Sequence, residues 1–130
     1  MKKLNGLSAA GIALALGAIV LSVPAAAQTQ EFAPFWKDFA AAAKAGDKAK
    51  VRGVMKFPFL YLSDLREEKE FEKIWKGLFT AKVRACLGKG KPELDHNAKP
   101  PNYVIFCGDT GFYFQKTDAG WRFTETGVND

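Results

Sequence analysis

The chain has 130 residues, 19 Lys and Arg against 14 Asp and Glu, and a formal net charge of +5. That length encloses a single modest core and excludes a multidomain enzyme. Its charges are interspersed, as in Arg66-Glu67-Glu68-Lys69-Glu70, rather than gathered into a basic stripe, so nucleic acid is not an expected partner.

Lys2 and Lys3 precede an uncharged Leu, Ala, Ile, Val and Gly run from Leu7 to Val23, and Pro24-Ala25-Ala26-Ala27 puts small residues before Gln28. This pattern predicts a secretory signal peptide over residues 1–27, cleaved after Ala27. Of 130 residues, 103 remain, and 28–130 is read as one domain. The run is marginal for a span of about 20 residues and ends in a cleavage pattern rather than basic stop-transfer residues, so no stable membrane insertion is expected after cleavage. No Cys stands at the cleavage point, which argues against a lipoprotein. The expected location is periplasmic, with secretion as the alternative. Without Lys2 and Lys3 the 19 basic residues fall to 17 against 14 acidic ones, a net of +3.

Phe32, Phe35, Trp36, Phe39, Ala40 and Ala43 recur at helical spacing, with Lys37, Asp38 and Lys44 largely opposite. Gly46 is suited to end that helix in a left-handed cap, and Asp47 to cap a short second helix with Val51, Val54 and Met55 inward. Phe57 to Leu62 reads as extended, and Pro58, lacking an N–H, belongs at a sheet edge or outside the sheet. Ser63 and Asp64 are turn or cap residues. Phe71, Ile74, Trp75, Leu78, Phe79, Val83, Cys86 and Leu87 then hold the helical period for over four turns, with Gly77 and Thr80 as points where it bends or splits. Gly88 to Asn102, broken by glycines and prolines, reads as a long loop, mobile or functional.

Three strands are expected next: Tyr103 to Cys107, Phe112 to Thr117 and Trp121 to Thr126. Gly108 to Gly111 supplies one turn, and Asp118-Ala119-Gly120 a three-residue hairpin loop. Phe112, Phe114, Trp121 and Phe123 alternate with Tyr113, Gln115, Arg122 and Thr124, giving one apolar and one polar face. The fold class is α+β, N-terminal helices packed on a C-terminal antiparallel sheet. Cys86 and Cys107, in an exported chain of this size, are expected to form one disulfide, with two buried free thiols as the alternative. Closing a loop of about 20 residues contributes roughly 3 kcal/mol. The spacing is not C-x-x-C, so a redox-active pair is not expected.

The string Phe39-Ala-Ala-Ala-Ala-Lys-Ala-Gly46-Asp47, followed by a short helix and Phe57-Pro58-Phe59, resembles the opening of exported NTF2-like (cystatin-like fold) proteins. Phe112-Tyr-Phe-Gln-Lys-Thr-Asp-Ala-Gly120-Trp121-Arg122-Phe123 resembles their terminal hairpin. The resemblance implies N-terminal helices packed on an antiparallel sheet around a cone that usually holds a ligand; a homodimer through the outer sheet face is common in the superfamily, and nothing in this sequence establishes one. Many members carry an additional hairpin before the long helix. Here only a single extended segment fits between Met55 and Glu67, so the cone is expected to be shallow or filled. The superfamily spans isomerases, dehydratases, transport factors and small exported proteins, and fold alone does not choose among them.

Residue chemistry is sparse. His96, between Asp95 and Asn97, is read as a solvated loop residue, since one His and one carboxylate fall short of a three-ligand zinc site. Ser63 lacks a nucleophile-elbow context. Gly108-Asp-Thr-Gly111 shares D-T-G with aspartic proteases but reads as a turn, as does Asp118. No catalytic, cofactor-binding or metal-binding residue is assigned. Tyr61, Tyr103, Tyr113 and Arg122 are the candidate ligand-pocket residues, because each carries a polar handle suited to a pocket mouth. The leading expectation is a non-catalytic module of the cell envelope that binds a small molecule or envelope protein. The alternatives are a small periplasmic isomerase, dehydratase or hydrolase with an acid–base residue in the cone, and an inhibitor-like or stress-related protein acting through protein contact.

Overall fold

A computed structural model describes residues 32–128. The predicted signal peptide, residues 1–27, lies outside the described residues. Helix α1 (Phe32–Ala45) places Phe32, Phe39, Ala40, Ala42 and Ala43 inward. It ends where Gly46 adopts φ +73° and the Gly46 and Asp47 amides donate to the Ala43 and Ala42 carbonyls. Asp47 then caps α2 (Lys48–Gly53) by accepting the Lys50 N–H at 3.2 Å. Strand β1 (Met55–Tyr61) and the short β2 (Asp64–Arg66) follow, then a 3₁₀ turn (Glu68–Glu70), α3 (Phe71–Leu78) and α4 (Ala81–Lys89). Four strands complete the chain: β3 (Glu93–Asp95), β4 (Asn102–Cys107), β5 (Thr110–Thr117) and β6 (Gly120–Val128). The fold is α+β. Its six-stranded sheet runs β2-β1-β6-β5-β4-β3, antiparallel throughout except where β1 lies parallel to β6. Among the described residues no helix is long and apolar enough to cross a membrane.

Several expectations are corrected. Between Met55 and Glu67 there is a hairpin, not one extended segment: Phe59, Leu60 and Tyr61 pair with Arg66, Leu65 and Asp64. Its turn is Leu62-Ser63, with Leu62 at φ +60° and no glycine to announce it. Pro58 consequently stands in an interior strand. It is tolerated because β2 reaches only as far as Phe59, and because β1–β6 pairing lapses between Met55↔Phe123 and Leu60↔Glu125. The segment Gly88 to Asn102 is not structureless, since α4 runs to Lys89 and β3 pairs with β4. The last hairpin loop has two residues, Asp118 and Ala119, because Gly120 at φ +103° already pairs with Thr117.

The long helical signal is two helices. At the break Thr80 is extended, and its hydroxyl accepts the Val83 N–H at 3.2 Å, while the Arg84 guanidinium donates to the stranded Phe79 carbonyl at 3.2 Å. The disulfide joins Cys86 of α4 to Cys107 of β4 with their Cα atoms 5.9 Å apart, clamping helix to sheet.

The core lies between the helices and the concave face of the sheet. Phe59, Phe112, Phe114 and Phe123 are fully buried there. Phe123 is the hub, with its ring 4.8 Å from Phe59, 5.2 Å from Phe114 and 5.6 Å from both Phe39 and Phe112. Trp121 is only half-buried, with its ring edge-on to Phe32 at 4.9 Å. A bulge places Thr124 between the Phe114↔Phe123 and Tyr113↔Glu125 pairs, which is why Thr124 is buried rather than on the polar face, and why Thr126 turns inward.

Candidate functional site: a trough between the first two helices

The face of the sheet that the helices cover, its concave face, is occupied by phenylalanine. Phe114 alone meets the rings of Phe39, Trp36 and Phe35 at 5.1, 5.5 and 6.0 Å. Edge-to-face and stacked packing of this kind leaves its lining in van der Waals contact rather than facing a void.

The four polar-handled residues do not converge. Tyr61 and Tyr103 face inward but stand on β1 and β4, with β6 and β5 between them. The Tyr61 hydroxyl is packed against α3 where Gly77 leaves it room: a Cβ there would sit 2.9 Å from the oxygen. Tyr103 is stacked on Phe32 at 3.7 Å. Tyr113 is on the outer face, 6.5 Å from the Phe106 ring and over the bare backbone of Gly111 and Gly127. Arg122 lies on the outer face too, paired with Gln115, and its Nη1 donates to the Trp121 carbonyl at 2.7 Å.

A concavity does exist elsewhere. The side of α1 bearing Phe35, Asp38, Phe39 and Ala42 faces Lys50 of α2 and Val54 across an open hollow of about 310 Å³. The hollow continues along α1 past Ala41 and Ala45 to Asp47, where a further volume of about 250 Å³ shares Asp38, Ala42 and Lys50. The helical period builds this trough: positions 35, 38, 39, 42 and 45 form one stripe, and alanine at its centre leaves the depth. Periodicity alone marks Phe35 and Phe39 as core, which conceals the trough in the sequence. The run Ala40-Ala41-Ala42-Ala43 was the available signal.

The electrostatics of α2 divide by side. Lys48 pairs with Glu72 at 3.0 Å and Arg52 with Glu68 at 3.1 Å, tying α2 to the 3₁₀ turn and α3. Lys50, directed to the trough, has no side-chain partner among the described residues, and neither does Asp38 across from it. A second hollow of about 350 Å³ lies beside the disulfide, lined by Gly90, Lys91, Glu93, Val104 and Phe106 among others.

Catalytic groupings are not evident among the described residues. His96 is exposed after β3, Ser63 is in the hairpin turn, and no group of three or more His, Cys, Asp or Glu is placed to hold a metal ion. Searched against known proteins, the chain matches no family model, no curated protein and no solved structure.

Proposed function

We propose that the protein is an exported NTF2-like domain of the periplasm that acts by binding, and that it takes its ligand at the α1–α2 trough instead of in the concave face. The observation that carries this reading is the filling of that face by Phe59, Phe112, Phe114 and Phe123, all fully buried. It leaves the surface as the place for recognition, and the trough is a concavity there that combines an apolar floor with charged walls. Two observations support the family reading. The hairpin β1–β2 stands before α3, where many members carry one, and the last strand closes back beside β1. The disulfide supports export, because such bonds persist in oxidising compartments.

The test is a fragment screen against the isotopically labelled exported protein, read at methyl groups. Hits should shift Val54 and Ala42 and leave Met55 and Ile74 unmoved; hits that move the latter pair would place the site in the concave face and reject the reading. Purified protein beginning at Gln28 in an osmotic-shock fraction would support export, and a retained Lys2-Lys3 terminus would count against it.

A second reading, protein contact, is favoured by one observation: Leu65 and Phe106 are 66% and 43% exposed. They lie with Leu60, Val104 and Tyr113 on the outward rows of the sheet. A second copy of the chain is the partner this reading names, and concentration-dependent sedimentation would report it.

A further inference from the structure

We propose that the α1–α2 trough binds a small zwitterion with an apolar body, an apolar α-amino acid or a short apolar peptide. The proposal rests on the reading that the trough is the binding surface, and it assigns the ligand's chemistry.

The argument begins with charge. Asp38 comes from α1 and Lys50 from α2, so the trough has an anionic and a cationic wall. Neither side chain has a partner among the described residues, whereas Lys48 and Arg52, two positions either side of Lys50, are both engaged with glutamates. Both side chains are exposed, so water solvates them already: a ligand with one charge gains from one wall only, whereas a ligand with both gains from each. An ammonium facing the Asp38 carboxylate and a carboxylate facing the Lys50 ammonium make charge-assisted hydrogen bonds.

The floor specifies the rest. Phe35, Phe39, Ala42 and Val54 are apolar, and Phe35 and Val54 are only half-buried, so they gain by being covered. A volume of about 310 Å³ stands at the lower end of the range for small-molecule sites, which suits a single amino acid and not a cofactor. The extension past Ala41 and Ala45 has small walls that admit a peptide backbone, giving room for a second residue.

Calorimetry and methyl shifts on the exported protein test this with four probes. L-phenylalanine is the reference, N-acetyl-L-phenylalanine removes the ammonium, L-phenylalaninamide removes the carboxylate, and L-phenylalanyl-L-leucine tests the extension. The walls are open to solvent, so millimolar affinity is expected, and loss of either charge should weaken binding about three- to tenfold. Asp38→Asn should abolish the preference over the acetylated probe alone, and Lys50→Gln the preference over the amide alone. Equal binding of all four probes, with shifts at Val54 and Ala42, overturns the zwitterion and leaves the trough standing. Shifts at Met55 and Ile74 overturn the trough as well. The absence of any saturable shift for L-phenylalanine and the dipeptide up to about 10 mM overturns the proposal outright.

Discussion

The carboxylate of Glu70 accepts the Glu67 N–H at 3.0 Å and the Arg66 Nη1 at 3.1 Å, joining the end of β2 to the start of the helical layer. Those bonds, the Glu67 amide first and the Arg66 guanidinium second, hold its carboxyl below the usual carboxylate range. A group whose folded pKa is depressed stabilises the native state above the unfolded pKa of about 4.3, and the contribution is lost as pH falls through the folded value. Glu70→Gln keeps the shape and an acceptor for the amide but removes the charge. It should be less stable than the parent at pH 7, with the gap closing below about pH 4. Urea midpoints from pH 3 to 7 measure this, and a gap that stays constant across that range would refute the assignment. The neighbouring turn has its own single-residue determinant: Leu62 is held at φ +60° while its N–H donates to Thr126 Oγ1 at 3.2 Å.

Among the elements, α4 is held by the buried Leu87, by Val83 packed against the core, by Gly88 set close against Lys44 of α1, and by the disulfide from Cys86 to the end of β4. The two cysteines are 21 positions apart in the sequence, with Leu87 to Phe106 lying between them. Closing such a loop restricts the unfolded chain by about 3 kcal/mol. The double variant Cys86→Ala/Cys107→Ala should lose that amount in urea unfolding, while Cys107→Ala in an unbonded background should cost more than Cys86→Ala, because Cys107 is buried. A loss under about 0.5 kcal/mol would mean that packing alone holds α4 to the sheet. How legible these elements were in the sequence follows from how local their causes are. Phenylalanine periodicity reveals α1 and the β5–β6 hairpin, and of the two break points the sequence offers, Gly77 lies within α3 while Thr80 is where the helix splits. The β1–β2 hairpin was hidden because Leu62 supplies the left-handed turn without the glycine or asparagine that signals one. Strand β3 was hidden because three residues among prolines carry no period, and it forms only by pairing with β4. The trough was concealed for a further reason: alanine on a helix reads as interior until the neighbouring helix is placed, and Lys50 gains its meaning only opposite Asp38.

At the scale of the molecule, helices and sheet enclose an aromatic filling, so truncating one ring should open room for a small ligand there. Phe114 is the ring to remove. It is fully buried and touches Phe39 and Trp36 on α1 and Phe123 on β6, so its loss is not readily filled by any one neighbour. Phe114→Ala should cost about 3–5 kcal/mol, a large fraction of the 5–15 kcal/mol typical of a domain, with the disulfide intact to help it remain folded. An apolar cavity of this kind stays dry and accepts a small apolar ring. Benzene should therefore raise the urea midpoint of the variant by mass action and leave the parent unmoved, because binding to the folded state alone adds RT ln(1 + [L]/Kd). An equal benzene effect on both proteins would mean that the concave face is already open, and the trough would lose its claim as the place where a ligand must go. A small loss of stability with no benzene effect would mean instead that α1 settles onto the sheet. In that case the helical layer is mobile enough to close over a vacancy, and the spacing of α1 from α2, on which the Asp38 and Lys50 walls depend, would move with it.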